Sequence, residues 1–287
     1  MGESFVAVAN DASALYWNPA ALVQFPENAV IASHTEYIVD IRHEFFGIVY
    51  HLSGEDAVGV SFSSLHMEDM EITTETQPFG TGRFFTFGDI AVGLTYSKKM
   101  TEQFSFGATV KYAEETLDVL KMSSVMVDLG TYYWTGLGTT RFAVVVSNFG
   151  ADVSPSGTLS RPDGSTVSSF QKFSLPTVFK FGVAFEPFKS DDQQLTTSIQ
   201  LNHPNDNSEH FRVGAEYSWR NTFFARAGVK RTIGQPIFAA DGTSEENFAL
   251  GAGILVPLEI SRVRADYAYV NFNRLGTVHR ISVEFTF

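Results

Sequence analysis

The chain contains no cysteine among its 287 residues. That excludes a disulfide framework, a thiolate metal site and a thiol nucleophile. Basic residues are few: 20 Lys and Arg stand against 32 Asp and Glu, a formal net charge of −12. A nucleic-acid surface needs clustered Lys and Arg to displace counterions, so no nucleic-acid partner is expected. No apolar run approaches the roughly 18–20 residues of a membrane helix. No stretch at the start carries the basic, apolar and small-residue regions of a signal peptide. Taken at face value the two absences point to the cytosol, but the first says nothing of a membrane crossed by strands.

Phe (27) and Gly (23) are abundant, and apolar and polar residues alternate along most of the chain. In RISVEFTF, Ile281, Val283, Phe285 and Phe287 fall on one face, with Arg280, Ser282, Glu284 and Thr286 on the other. FRVGAEYSWR sets Phe211, Val213, Ala215, Tyr217 and Trp219 against Arg212, Gly214, Glu216 and Ser218. A period of two over eight to ten residues is the signature of a strand. Fourteen such segments begin near Asn28, Glu44, Ala57, Phe85, Gln103, Ser124, Thr140, Ser174, Gln194, Glu209, Asn221, Glu246, Glu259 and Val278. Strands of soluble proteins usually run about 5–6 residues. These come nearer the roughly 9–11 of a tilted strand crossing a bilayer. Short links such as SGED, KKMTE and TGLG largely alternate with long ones such as MEDMEITTETQPFGTGR and TIGQPIFAADGTSE. An outer-membrane barrel has that alternation, with turns on the periplasmic side and loops outside.

Periodicity cannot say whether the apolar face meets a core or lipid. Three features favour lipid over a soluble all-β fold. The polar face is crowded with glycine (Gly59, Gly93, Gly107, Gly130, Gly182, Gly214, Gly228, Gly251, Gly253), which suits a lumen that admits other chain segments. Aromatic residues such as Tyr96, Tyr112, Trp219 and Tyr269 sit on the apolar face toward strand ends, as in an interfacial girdle. The chain ends on Phe287, which resembles the assembly signal of bacterial outer-membrane proteins. The expected fold is an all-β, 14-stranded antiparallel transmembrane β-barrel over residues 27–287. A short hatch or plug segment, residues 1–26, lies inside its lumen.

That segment breaks the alternation. DASALYWNPAAL packs apolar residues together and turns at Asn18-Pro19. Asp11 or Ser13 can cap a short helix over ALYW. Asn18 can close a turn, and Pro19 suits the first position of a second helical turn. The stretch MGESFVAVANDASALYWNPAAL, with Asp11, Ser13, Trp17, Asn18 and Pro19, resembles the N-terminal signature of the PorV/PorQ family of outer-membrane proteins. That family belongs to the wider group that includes the FadL-type transporters of hydrophobic compounds. The resemblance implies a barrel of Gram-negative bacteria with both chain ends periplasmic. It also implies that upstream residues, signal peptide included, are missing from this sequence.

Charges of both signs interleave on the lumen face of the last third: Arg212, Glu216, Arg226, Lys230, Arg264, Asp266, Arg280 and Glu284. They form either an ionic ladder that holds the plug to the wall or a polar guide for a solute. His66–Gln77 gathers Glu68, Asp69, Glu71 and Glu75, a solvated acidic loop or a calcium site without EF-hand spacing. No His-x-x-x-His pair or phosphate loop is present, so neither an enzyme nor a cofactor is expected. The PorV resemblance implies a part in type IX secretion, binding C-terminal domains of exported cargo or a translocon barrel. The FadL-type resemblance implies instead a channel for hydrophobic compounds such as long-chain fatty acids. A structural outer-membrane protein, with lipid as its one partner, is the third reading. An apolar pocket beside Trp17 and Phe25 would favour transport.

Overall fold

The computed structural model describes residues 1–161, 164–234 and 248–287. Among them fourteen antiparallel strands close into one barrel. They are β1 (Ala29–Glu36), β2 (Arg42–His51), β3 (Asp56–His66), β4 (Phe87–Lys99), β5 (Phe104–Leu117), β6 (Leu120–Trp134) and β7 (Arg141–Gly150). They continue with β8 (Val178–Lys189), β9 (Gln193–Pro204), β10 (His210–Trp219), β11 (Phe223–Thr232), β12 (Phe248–Pro257), β13 (Arg262–Asn271) and β14 (Thr277–Thr286). Every strand pairs with its chain neighbours, and β1 closes on β14 from Ala29↔Thr286 to Glu36↔His279. The closed barrel sheet therefore has no edge strand of its own.

Two strand onsets differ from the expected positions by four residues. The eighth starts at Val178 rather than Ser174, because Pro176 has no N–H for the ladder. The sixth starts at Leu120 rather than Ser124. Asp118 takes a positive φ of 54°, so Leu117 and Leu120 pair across a two-residue hairpin. The alternation of links is therefore partial: 118–119, 205–209 and 272–276 are short links on the long-loop side. Two long loops carry small ribbons, Met70–Glu71 with Phe84–Phe85 and Leu159–Ser160 with Thr166–Val167. The expected onset at Glu246 and most of the 232–245 loop lie outside the described residues.

Exposure decides which face is which. Outward-pointing Leu94 and Val125 are 64% and 61% exposed, while inward-pointing Thr95, Thr109 and Gln200 are each 1% exposed. A soluble sandwich would show the reverse, so the apolar band is the lipid face. The apolar interior comes from the N-terminal segment, whose Val6, Ala7, Ala9, Ala12, Ala14, Ala20, Ala21 and Leu22 are all at 0% exposure. The segment lies within the barrel as a series of turns, one α-helical turn (α1, Ala14–Trp17) and a 3-10 helix (Pro19–Gln24). Wall glycines make room for it. A Cβ at Gly107 would overlap the backbone of Pro19 and Ala20, and one at Gly228 would overlap Met1 and Gly2. Gly214 meets the backbone of Met1 likewise, and Gly47, Gly59, Gly130 and Gly182 meet side chains of the segment, from Leu15, Asn18 and Val6. Gly93, Gly251 and Gly253 face other wall residues instead.

Gly107→Val should undock the segment while leaving the barrel closed. Overpacking costs about 1–3 kcal/mol, so the undocked fraction should rise roughly 5- to 150-fold. Chymotrypsin cleavage within residues 1–25 measures this, with heat-modifiable gel migration reporting the barrel. Gly54→Val, with open space around it, should cut no faster than wild type.

Candidate functional site

The segment's short turns leave many backbone groups without partners in the segment itself, and burial makes each costly unless something answers it. Side chains of the wall do so. Gln200 Oε1 accepts from the N–H groups of Phe5 (3.0 Å) and Val6 (3.2 Å). Tyr132 Oη and Arg141 Nε donate to the carbonyl of Ala7 at 3.1 and 2.9 Å. Ser105 Oγ donates to the carbonyl of Ala20 at 2.8 Å, and Glu284 Oε2 accepts from the N–H of Ala12 at 2.7 Å.

Asn18 is the segment's internal tie. Its Oδ1 accepts from Ala20 N–H at 3.0 Å, capping the helix that Pro19 opens. Its Nδ2 donates to the carbonyls of Val6 (2.9 Å) and Thr131 (3.2 Å). Those bonds join the two halves of the segment to each other and to β6. Asp11 Oδ1 accepts from the N–H and Oγ of Ser13. Ser13 holds the N-cap position of α1 but makes no side-chain cap bond, because its hydroxyl is turned to Asp11. Trp17 packs edge-on to Phe5 and Tyr16, with centroids 6.1 and 4.9 Å apart.

The structure divides the eight lumen charges into groups. Arg226 pairs with Glu216 (Nε–Oε2, 2.5 Å) and Asp266 (Nη1–Oδ1, 2.6 Å). Arg264 reaches Asp11 Oδ2 at 3.3 Å, Asp266 Oδ2 at 3.0 Å and Glu216 Oε2 at 3.8 Å. Both guanidiniums lie over the ring of Phe224, at 5.4 and 4.8 Å. With Glu284 this cluster joins β10, β11, β13 and β14 to the segment; Arg264 and Glu284 make the direct links, to Asp11 and to the N–H of Ala12. Arg212 stands apart. Its Nη1 lies 3.0 Å from both the carbonyl of Gly2 and Oε2 of Glu3, and it is opposite Lys230 in the strand register. Arg280 Nε donates to Thr35 Oγ1 at 3.0 Å. Phe287 is exposed on the outer face, stacked on Phe285, with its N–H donating to Asn28 O at 2.9 Å.

Sequence alternation places Gln200 and Tyr132 on strands but gives no sign that they meet the segment. The inward pair Arg141–Glu186 (2.8 Å) also escapes it, since Glu186 adjoins Pro187 at a shift of register. The acidic loop residues go elsewhere: Glu68 pairs with Arg42 at 3.2 Å, and Glu71 Oε1 accepts from Gly82 N–H at 3.1 Å.

Two cavities flank the ionic cluster. The larger, of about 200 Å³, lies between the segment and the inner wall of β1, β2 and β12–β14. Phe5, Trp17, Ile31, Phe45 and Val270 give it an apolar side, and Arg264, Arg280 and Glu284 a polar one. The smaller, of about 130 Å³, lies at the short-turn end and includes Phe25, Phe224 and Leu255. Trp17 and Phe25 thus line different cavities rather than one.

Arg212 beside Glu3 holds the Glu3 carboxyl down at about 2, from an ordinary 4.5. A depressed carboxyl stabilises the docked state fully above its unfolded value. Its contribution declines on acidification and is gone below about 2. Acrylamide quenching of Trp17, in a background with Trp134 and Trp219 replaced by Phe, should stay low at neutral pH and rise as pH falls toward 2. Arg212→Ala should show the raised quenching already at neutral pH. Equal quenching in both proteins at all pH values would show that this pair does not pin the segment.

No protein-family model and no curated protein matches the chain. Solved structures do. The monoaromatic hydrocarbon channel CymD superposes with a TM-score of 0.60 at 13% identity, over 98% of this chain and 93% of that one. The toluene transporter TbuX of Ralstonia pickettii gives 0.59 at 12% identity, over 96% and 92%. The toluene transporter TodX of Pseudomonas putida gives 0.56 at 13%, over 100% and 97%. At such identities the likeness establishes the fold alone, a closed barrel that this chain shares with these channels over nearly its whole length.

Proposed function

We propose that the protein is an outer-membrane channel for small apolar molecules, with the N-terminal segment as its plug. The observation that carries this reading is the cavity of about 200 Å³ between the segment and the wall. An apolar cavity of about 150 Å³ holds a molecule the size of benzene, so this one has room for a single small hydrophobic solute. Its apolar side is built from both partners: Phe5 and Trp17 from the segment, Ile31, Phe45 and Val270 from strands. The channels that share the fold are described as hydrocarbon or toluene transporters, which supports the same class of solute. In this reading the short turns face the periplasm and the long loops the exterior. The chain's residues position and pass a solute, and no bond is made or broken. The secretion role implied by the N-terminal resemblance rests on those residues alone, and no cavity or surface described above speaks for it.

Radiolabelled toluene should bind the detergent-purified protein saturably, one molecule per barrel. Ala268→Trp places an indole in the cavity and should abolish that binding with the barrel still heat-modifiable. Absence of saturable binding to the wild type would sink the reading. Co-purification of secreted proteins from the native membrane would move it to secretion.

A further inference from the structure

The two cavities lie in series along one side of the plug. The larger reaches from Arg264 and Glu284 toward the long-loop end, where Val270, Val278 and His43 line it. The smaller is confined to the short-turn end. Asn221, Phe224 and Leu255 lie beside short turns, and Arg262 and Thr286 are the first and last residues of their strands. Arg264 and Glu284 are the two residues that line both. What separates the cavities is therefore the bridge from the wall to the plug: Arg264 to Asp11, and Glu284 to the N–H of Ala12.

The two arginines of the cluster are held differently. Arg226 makes short ion pairs, 2.5 and 2.6 Å, with Glu216 and Asp266, both on the wall. Arg264 makes long ones, 3.3 Å to Asp11 and 3.8 Å to Glu216. Its Nε lies 3.0 Å from Asp266 but is not aimed at it. Coulomb attraction falls with distance, and misaligned hydrogen bonds are weak. Arg264 is thus the more easily displaced of the two. It can swing over the Phe224 ring, exchanging the carboxylate of Asp11 for those of the wall, without leaving its counter-charges. The far wall holds the plug by other means: Ser4 Oγ donates to Ser198 Oγ at 2.9 Å, and Gln200, Tyr132 and Arg141 hold residues 5–7.

We infer that Arg264 is the gate of a path that runs along the seam between the plug and the wall of β11–β14, and that the plug stays docked while it opens. This rests on the reading of the barrel as a channel. The path runs from a chamber with one apolar side past one movable guanidinium to a smaller, mainly polar chamber, where Phe25, Phe224 and Leu255 stand among Glu27, Glu216 and Arg262. An uncharged solute gains nothing from the ionic cluster, so the seam passes it only if it is narrow enough to slip beside Phe224 as Arg264 turns aside. The inferred selectivity is for small, compact, uncharged molecules over long or charged ones.

Planar-bilayer conductance in potassium chloride tests the gate directly. Arg264→Ala should turn a closed barrel into one with discrete conductance steps. Arg226→Ala and Arg262→Ala remove the same charge from residues that line only one cavity each, and both should remain closed. If Arg264→Ala does not yield a heat-modifiable barrel, Arg264→Met, which keeps the stem, is read in the same way. The native chain has no cysteine, so Ser4→Cys with Ser198→Cys can staple the plug to the far wall. Steps that persist in the oxidised, stapled Arg264→Ala protein support the seam. Steps that vanish on oxidation and return on reduction overturn it, because the plug must then leave. It is equally overturned if deletion of residues 1–24 conducts while Arg264→Ala does not. Toluene binding to the wild type separates this inference from the channel reading. Stapled conductance without toluene binding keeps the seam and removes the apolar solute. Toluene binding with a closed Arg264→Ala barrel keeps the solute and removes the gate.

Discussion

A chain segment with little regular structure can be buried in a barrel only if its backbone polar groups find partners there. That requirement organises this molecule. The first twenty-five residues contain one α-helical turn and one 3-10 helix, and the wall meets their remaining needs with Gln200, Tyr132, Arg141, Ser105 and Glu284. The segment in turn supplies the apolar filling that the polar lumen lacks. Alanines dominate it because small side chains let its backbone approach the wall, and wall glycines complete that approach from the other side. Plug and barrel are therefore complementary in hydrogen bonding and in shape.

The complementarity is uneven around the circumference. On the β5–β9 side the plug meets the wall through direct hydrogen bonds and glycine contacts. On the β11–β14 side an ionic cluster spans the gap, and cavities open on both sides of it. Charged side chains are long and need room to satisfy several partners, so they hold surfaces together without closing the space between them. The interaction that fastens the segment on this side thus stands between the two cavities. The first cavity's mixed lining follows: plug aromatics on one side, the charged faces of β13 and β14 on the other.

The N-terminal residues that resemble the PorV/PorQ signature serve a structural purpose in this barrel. Asn18-Pro19 caps a helix and ties the plug to β6, and Asp11 answers Arg264. Such residues report how the plug is built more directly than what the barrel carries. The channel reading rests instead on the cavity, formed by residues as far apart in the chain as Trp17 and Val278.

Strand number, the lipid-facing side, the closed barrel and the buried start of the chain were all legible in the sequence, because period-two alternation is local and a barrel repeats it fourteen times. Six of the nine glycines named on the lumen face do have the segment pressed against them, and Gly93, Gly251 and Gly253 do not. The two displaced strand onsets were hidden by local exceptions, a proline at 176 and a positive φ at Asp118. The charged lumen residues could be named, but their division into an Arg264 cluster, an Arg212–Glu3 pair and a separate Arg280 could not. Neither could the role of Gln200, nor the separation of Trp17 from Phe25. Alternation says which face a residue is on and nothing about its height in the barrel or what stands opposite. Height comes from strand register and tilt around the closed sheet, and the opposing group comes from the path of the plug. Both are set only when all fourteen strands and the first twenty-five residues are in place together.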